Sequence, residues 1–371
     1  MTKRLLIAPL VASLCIATAV PAHAGLFGRA QPAPIAVDAD TPAASLNGAW
    51  KSTGQRVTTP PGNVVISNFR VVVLTNVAGM GQVTPGFANP DGGTASISAF
   101  YTLNGLDKAA LQATTDKAYA QLQADLAASG YTVMPRSTLD GVKGAEYLNG
   151  EGNLAHVQFI SAQNGASSGY MVTPTDMPVK LPLGGRVLEE GKGTSDANSK
   201  SFARIFSAAA SASGAGRAQF VATEVAGRVG ATLLDVTYTV TFAEFKGSGY
   251  ANTQGVTAQL SSKVTPIVVP TDTAIQVYRP KMGNNGTIAL QKPLIAQGMA
   301  FRDLRETTTR GDKAGSVAGA AISGLLALGG VGSMSVHQTK RYEVDATEAH
   351  AQILGAALEA ANRSIPGAIA Q

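Results

Sequence analysis

Hydrophobic positions along this chain change their period several times, and each change marks an element. Asn63 to Asn76 carries Val64, Val65, Ile66, Val71, Val72, Val73 and Leu74, β-branched and aliphatic residues that predict a strand. A loop rich in Gly, Pro, Asn and Asp is expected from Gly79 to Gly93, and Ile97 to Leu103 predicts a further strand. From Leu106 to Ser129 the spacing turns to three and four. Leu111, Thr115, Ala118, Leu122 and Leu126 then share one helical face. Asp107 favours the positive end of that helix dipole, and Gly130 supplies a left-handed stop. Tyr131 to Met134 reads as a short strand closed by Pro135.

The second half repeats the scheme. Ser195 to Ser213 predicts a helix with Phe202, Ile205, Phe206 and Ala209 on one face, and Gln219 to Val229 another after Gly214 and Gly216. Leu234, Val236, Tyr238, Val240 and Phe242 alternate with Asp235, Thr237, Thr239 and Thr241, the pattern of a half-buried strand with one polar face. Thr273 to Arg279 and Thr287 to Leu290 read as a hairpin around Asn284-Asn285-Gly286. A last helix is predicted from Ala346 to Ser364. Asp345 and Glu348 offer a capping box, His350, Leu354, Ala357 and Ala361 share a face, and Pro366-Gly367 closes it. The pattern predicts an α+β fold, a mixed central sheet with flanking helices, in two α/β units over residues 62–190 and 191–371. Residues 25–61, with Pro32, Pro34, Pro42, Pro60 and Pro61 among small residues, read as a flexible leader.

The first 24 residues are patterned differently. Lys3 and Arg4, the apolar run Leu5 to Val20 and the small-x-small site Ala22-His23-Ala24 make a secretory signal peptide, with the mature chain starting near Gly25. An uncleaved anchor and a lipoprotein signal are the rivals. The run is short for a spanning helix, and Leu14 is too large to precede a lipidated Cys15. A periplasmic location is expected, with the outer membrane as an associated surface.

Composition narrows the function classes. Cys15 is the only cysteine, so the mature chain has neither disulfide, thiol nucleophile nor Cys-ligated metal. Charged residues make up 14%, roughly half the usual share, and the formal charge of +5 includes Lys3 and Arg4. No basic cluster stands out, so nucleic acid is not an expected partner.

The candidate motifs are few. Gly165-Ala166-Ser167-Ser168-Gly169 fits the nucleophile-elbow pattern, which needs a strand before and a helix after; Tyr170 to Pro174 reads as strand, which favours a hairpin turn. Gly79-Met80-Gly81 follows a strand, but Thr84 stands where a dinucleotide fingerprint needs its third glycine and Pro85 breaks the helix. The expected role is a glycine loop at a sheet edge. His156, His337 and His350 lie outside any paired metal spacing, and Glu189-Glu190 reads as a solvated pair. No metal or cofactor is expected.

Ala314 to Val336 carries no charge between Lys313 and His337. Gly315, Gly319, Gly324, Gly329, Gly330 and Gly332 are spread among Val317, Ile322, Leu325, Leu326, Leu328, Val331 and Met334. Small-x-x-x-small spacing permits close approach in lipid, so Gly315, Gly319, Gly324, Leu325, Leu326, Leu328 and Gly329 are candidates for membrane or partner contact. The competing reading is a buried or mobile glycine-rich insertion, with Ala208 to Gly216 as its candidate neighbour.

The run after Leu122, QADLAASGYTVMPRSTL, resembles the helix–Ser-Gly–strand–Arg-x-x-Leu segment of envelope proteins related to the curli secretion channel lipoprotein and the penicillin-binding-protein activator lipoproteins. Val225 to Tyr238, VAGRVGATLLDVTY, resembles the later helix–Gly-Ala–strand step of that group. The resemblance covers about a third of the chain, and any α/β repeat can generate such motifs. It implies a periplasmic α/β domain that assembles or binds partners without catalysis. The lipid anchor of those relatives does not carry over, because the lipobox is missing.

The leading expectation is an exported, non-enzymatic envelope component acting in assembly or binding, with an envelope protein or further copies of itself as partner. A periplasmic small-ligand binding protein and a serine hydrolase using Ser167 are the alternatives.

Overall fold

The computed structural model describes residues 32–38, 40–46, 48–54, 60–83, 94–150, 154–161, 167–181, 186–188, 190, 219–252, 255–280, 285–309 and 335–370. The fold is α+β, with one large mixed sheet and helices on its faces. The helix expected over 195–213 and the small-residue stretch 208–216 lie outside the described residues.

Its strands in chain order are β1 (Ile35–Val37), β2 (Trp50–Gly54), β3 (Asn63–Val83), β4 (Thr94–Asn104), β5 (Thr132–Val133), β6 (Val157–Ser161), β7 (Ser168–Val172) and β8 (Arg186–Val187). β9 (Thr232–Asn252), β10 (Gly255–Val268), β11 (Ala274–Tyr278), β12 (Gly286–Leu290), β13 (Leu294–Ala296), β14 (Phe301–Glu306) and β15 (Ser335–Ala346) complete the sheet. Its backbone order is β1-β13-β10-β9-β3-β4-β15-β14. Helix α1 spans Lys108–Ala128, α2 residues 219–229, and α3 His350–Ala370.

β3 and β9 pair in parallel from Val64↔Thr232 to Val73↔Val240 and form the centre. A register shift between Ile66 and Asn68 inserts one residue, so the positions facing the helices move from Val64 and Ile66 to Phe69, Val71 and Val73. The run looks continuously apolar in sequence because both faces are covered. On one face, α1 (Leu111, Ala118, Leu122, Leu126) and α3 (Leu354, Ala357, Leu358, Ala361) pack on the sheet. On the other, Ala222, Val225 and Ala226 of α2 pack on Val65 and Leu233, with Leu139, Ala145 and Leu148 beside them.

Covering both faces changes one expectation. Asp235, Thr239 and Thr241 are buried like their apolar neighbours, so β9 has no solvent-facing polar side at this point. Each of these residues finds a partner inside. Asp235 binds Arg70, and Thr239 donates to the Asp272 carbonyl.

The N-terminal stretch that composition reads as a leader is part of the fold from Ile35 onward. β1 pairs with β13, β2 pairs with β12, and Val37, Leu46, Ala49 and Trp50 are buried. Trp50 Nε1 donates to Ser364 Oγ at 2.8 Å, tying this stretch to α3. The expected division at 190/191 is crossed by the β3–β9 pairing, and residues 32–371 form one unit.

α1 matches its pattern closely: Asp107 caps it by accepting from the Ala109 and Ala110 amides, and Gly130 takes φ +88°. α3 does not. It starts at His350, Asp345 belongs to β15 and pairs with Arg305, and the helix runs through Pro366 to Ala370. Burial of Ile365, Pro366 and Ile369 against the core outweighs the local cost of a proline inside a helix. The hairpin β11–β12 forms as expected, with Asn285 Oδ1 accepting from the Arg279 amide.

Candidate assembly surface

Two of the strands are far longer than the core needs. β3 and β9 have 21 residues each, against about 5–6 for an ordinary strand. Their mutual pairing ends at Val73 and Val240, and each then continues with an antiparallel partner. β3 pairs with β4 from Asn76↔Thr102 to Val83↔Ala95, and β15 runs parallel to β4 along its whole length. β9 pairs with β10 from Ala243↔Val264 to Asn252↔Gly255. Gly79-Met80-Gly81 therefore lies within a strand, where a sheet-edge loop was expected, because pairing with β4 carries β3 onward to Val83.

The β9–β10 ribbon has a strict two-residue alternation. One set of paired positions is Ala243/Val264, Phe245/Ser262, Gly247/Leu260, Gly249/Ala258 and Ala251/Val256. The other is Glu244/Lys263, Lys246/Ser261, Ser248/Gln259, Tyr250/Thr257 and Asn252/Gly255. Every charge falls in the second set. In the β3–β4 ribbon, Val77/Tyr101, Gly79/Ala99, Gly81/Ile97 and Val83/Ala95 make one set and Asn76/Thr102, Ala78/Phe100, Met80/Ser98 and Gln82/Ser96 the other, so the contrast between the sets is weaker than in β9–β10 and neither carries a charge. At its base Val77, Ala99 and Tyr101 are buried, and Tyr101 stacks on Tyr342 at 4.6 Å.

A ten-residue strand extends about 33 Å, and tilted it spans a bilayer hydrocarbon core. Apolar-polar alternation over such a length is the pattern of a strand with lipid on one side and water on the other. The β14 side is an exposed border of the sheet. Leu304 and Met299 are exposed there, and Asp303, at φ +54°, sits where the β14–β15 register shifts.

The other candidates separate from this surface. Ser167 is buried, and β7 follows it directly, so no elbow helix is present. Gly169 is there for a different reason. A Cβ on it would lie 2.1 Å from the Val73 carbonyl oxygen, so the glycine lets β7 close on the irregular part of β3. Glu190 is solvent-exposed, as expected, and its carboxylate is also engaged: Lys108 Nζ approaches at 2.7 Å and the Tyr170 hydroxyl donates to it. These bonds hold its pKa below the usual range. Glu189 is outside the described residues.

The described histidines are apart. His156 precedes β6, His337 lies in β15, and His350 opens α3 against Phe301 at 5.4 Å. Burial lowers the His350 pKa to about 4. It borders a cavity of about 450 Å³ together with Asp107, Arg302, Asp345 and Glu348. Among the described residues no group of three or more His, Cys, Asp or Glu could hold a metal ion.

Of the glycine-rich segment, Ser335 and Val336 open β15; Gly315, Gly319, Gly324, Leu325, Leu326, Leu328 and Gly329 lie outside the described residues. Sequence reasoning missed the ribbons. Alternation from Phe242 to Asn252 was the available signal, diluted by Gly247 and Gly249. Among the described residues no helix is long and apolar enough to cross a membrane, which leaves strands untouched. No protein-family model, curated protein or solved structure matches the chain.

Proposed function

We propose that this chain is an exported, non-enzymatic component of the cell envelope that assembles with further copies of itself through its long hairpin ribbons. The observation that carries the reading is the β9–β10 ribbon, ten paired positions long, with its charges confined to one alternate set. Such a ribbon is suited to a lipid-facing and a water-facing side. The two ribbons of one protomer, with β15 alongside β4, supply five strands, whereas the smallest closed membrane barrels have about eight. Open edges in lipid leave backbone N–H and C=O groups unpaired, so closure needs other copies. The signal-peptide pattern and the resemblance to envelope assembly proteins point the same way.

Paired substitutions test this. Leu260→Arg changes the apolar set, and its neighbour Gln259→Arg changes the polar set by the same added charge. Arginine at the bilayer midplane costs about 2–4 kcal/mol per strand position. Leu260→Arg should move the protein from the detergent-extracted membrane fraction to the soluble or proteolysed one, while Gln259→Arg stays in the membrane. Equal behaviour of the two variants, or recovery of the wild type in the soluble periplasm, would sink the proposal.

A further inference from the structure

The starts of α1 and α3 and the border strands β14 and β15 line one cavity of about 450 Å³. Asp107 comes from the cap of α1, Arg302 from β14 and Asp345 from β15. Glu348 precedes α3, and His350 and Ala351 open it. The volume falls in the range of small-molecule sites, roughly 300–1,000 Å³.

His350 is the buried member, 4% exposed. Its ring lies against Phe301 and makes no hydrogen bond among the described residues. Neither nitrogen is sealed from solvent, however, so the ring opens on the cavity that it lines. With the pKa lowered to about 4 by burial, the ring is uncharged at neutral pH and offers one N–H donor and one lone pair.

The charged members keep capacity of their own. Asp107 uses Oδ1 to accept from the Ala109 and Ala110 amides, which leaves Oδ2. Asp345 stands opposite Arg302 in the β14–β15 register, but its Oδ2 accepts from Arg305 at 2.8 Å. Arg302 and Glu348 are exposed, and neither has an ion-pair partner among the described residues. Asp345 and Arg305 compensate each other, so the carboxylates of Asp107 and Glu348 stand against the single guanidinium of Arg302. A complementary ligand carries one carboxylate and two cationic groups. Arginine's fork matches a carboxylate, and carboxylate oxygens match ammonium or guanidinium donors.

We propose that this cavity binds a basic amino acid, with its carboxylate on Arg302, its two cationic groups on Asp107 and Glu348, and the His350 lone pair accepting from the α-ammonium. The occupant ties both helix starts to the border of the sheet.

The test is calorimetric titration of the full chain with L-lysine and L-arginine. L-Norleucine and cadaverine serve as probes that lack the side-chain ammonium and the carboxylate of lysine. One-to-one saturable binding of lysine or arginine is expected, with norleucine and cadaverine weaker by at least about tenfold, each having lost one charge-assisted contact. Arg302→Gln should bring lysine down to the affinity of cadaverine and leave cadaverine unchanged, whereas Glu348→Gln should weaken both. Both side chains are exposed, so the two variants should keep the wild-type unfolding midpoint, measured alongside. Absence of saturable heat with lysine and arginine would overturn the proposal. So would cadaverine binding as tightly as lysine, the behaviour of an acidic surface that attracts any cation, or unchanged lysine affinity in Arg302→Gln.

Discussion

A few residues are held by contacts that their type alone does not announce. Gly169 is one: a methyl group there would collide with the Val73 carbonyl and the Leu74 backbone. Gly169→Ala should lower the midpoint of urea unfolding, by about 1–3 kcal/mol in stability, with secondary structure retained. His350 is another. It is 4% exposed and its pKa falls from about 6.5 to about 4 through burial. The folded state thus binds its proton less readily than the unfolded chain. Stability from the neutral ring is full above about pH 6.5, declines as pH falls toward 4, and is lost below that. His350→Leu should remove on the order of 2 kcal/mol of this pH dependence between pH 6.5 and 4, read from unfolding midpoints along that range. Asp107, Asp345 and Glu348 share the cavity, so the difference between variant and wild type is the quantity to compare.

Elements here are joined by buried polar bridges as well as by apolar packing. Asn362 of α3 lies fully buried. Its Oδ1 accepts from the Tyr238 hydroxyl of β9 at 2.6 Å, and its Nδ2 donates to the Ala118 carbonyl of α1 at 2.7 Å. One side chain therefore fixes both helices on the central strand. Asn362→Ala strands a buried hydroxyl and a carbonyl and leaves a cavity, a cost of about 2–4 kcal/mol. Adding Tyr238→Phe to that variant should cost less than it does in the wild type, and a double-mutant cycle in urea measures the coupling. The sequence marked the α3 face at His350, Leu354, Ala357 and Ala361, yet nothing local shows that Asn362 lies inside or that the helix passes Pro366. Those outcomes depend on what packs against α3, which single-chain periodicity does not contain.

At the scale of the molecule, the proposed assembly makes stability a property of the collective. Detergent-extracted particles should have a mass of several protomers, and their apparent melting temperature should rise with protein concentration. A monomeric mass with a concentration-independent melting temperature would contradict the proposal. Much of the architecture was legible in the chain itself. The helix from Lys108 to Ala128, the hairpin at Asn285 and the strands at Val64 and Leu234 follow from local period, caps and turn residues, which act over one or two turns of chain. The α+β class follows from their alternation. What only the tertiary structure decided is which segments share a neighbour. Parallel pairing of β3 with β9 joins residues about 170 apart and helps bury the polar positions of β9, and pairing with β13 brings Ile35–Val37 into the sheet. The β3–β9 pairing also ends at Val73 and Val240, so the rest of each long strand pairs with β4 and β10 instead. Period and propensity describe a segment's own faces; the free energy of burying those faces belongs to the pair that meets, and only the folded chain brings them together.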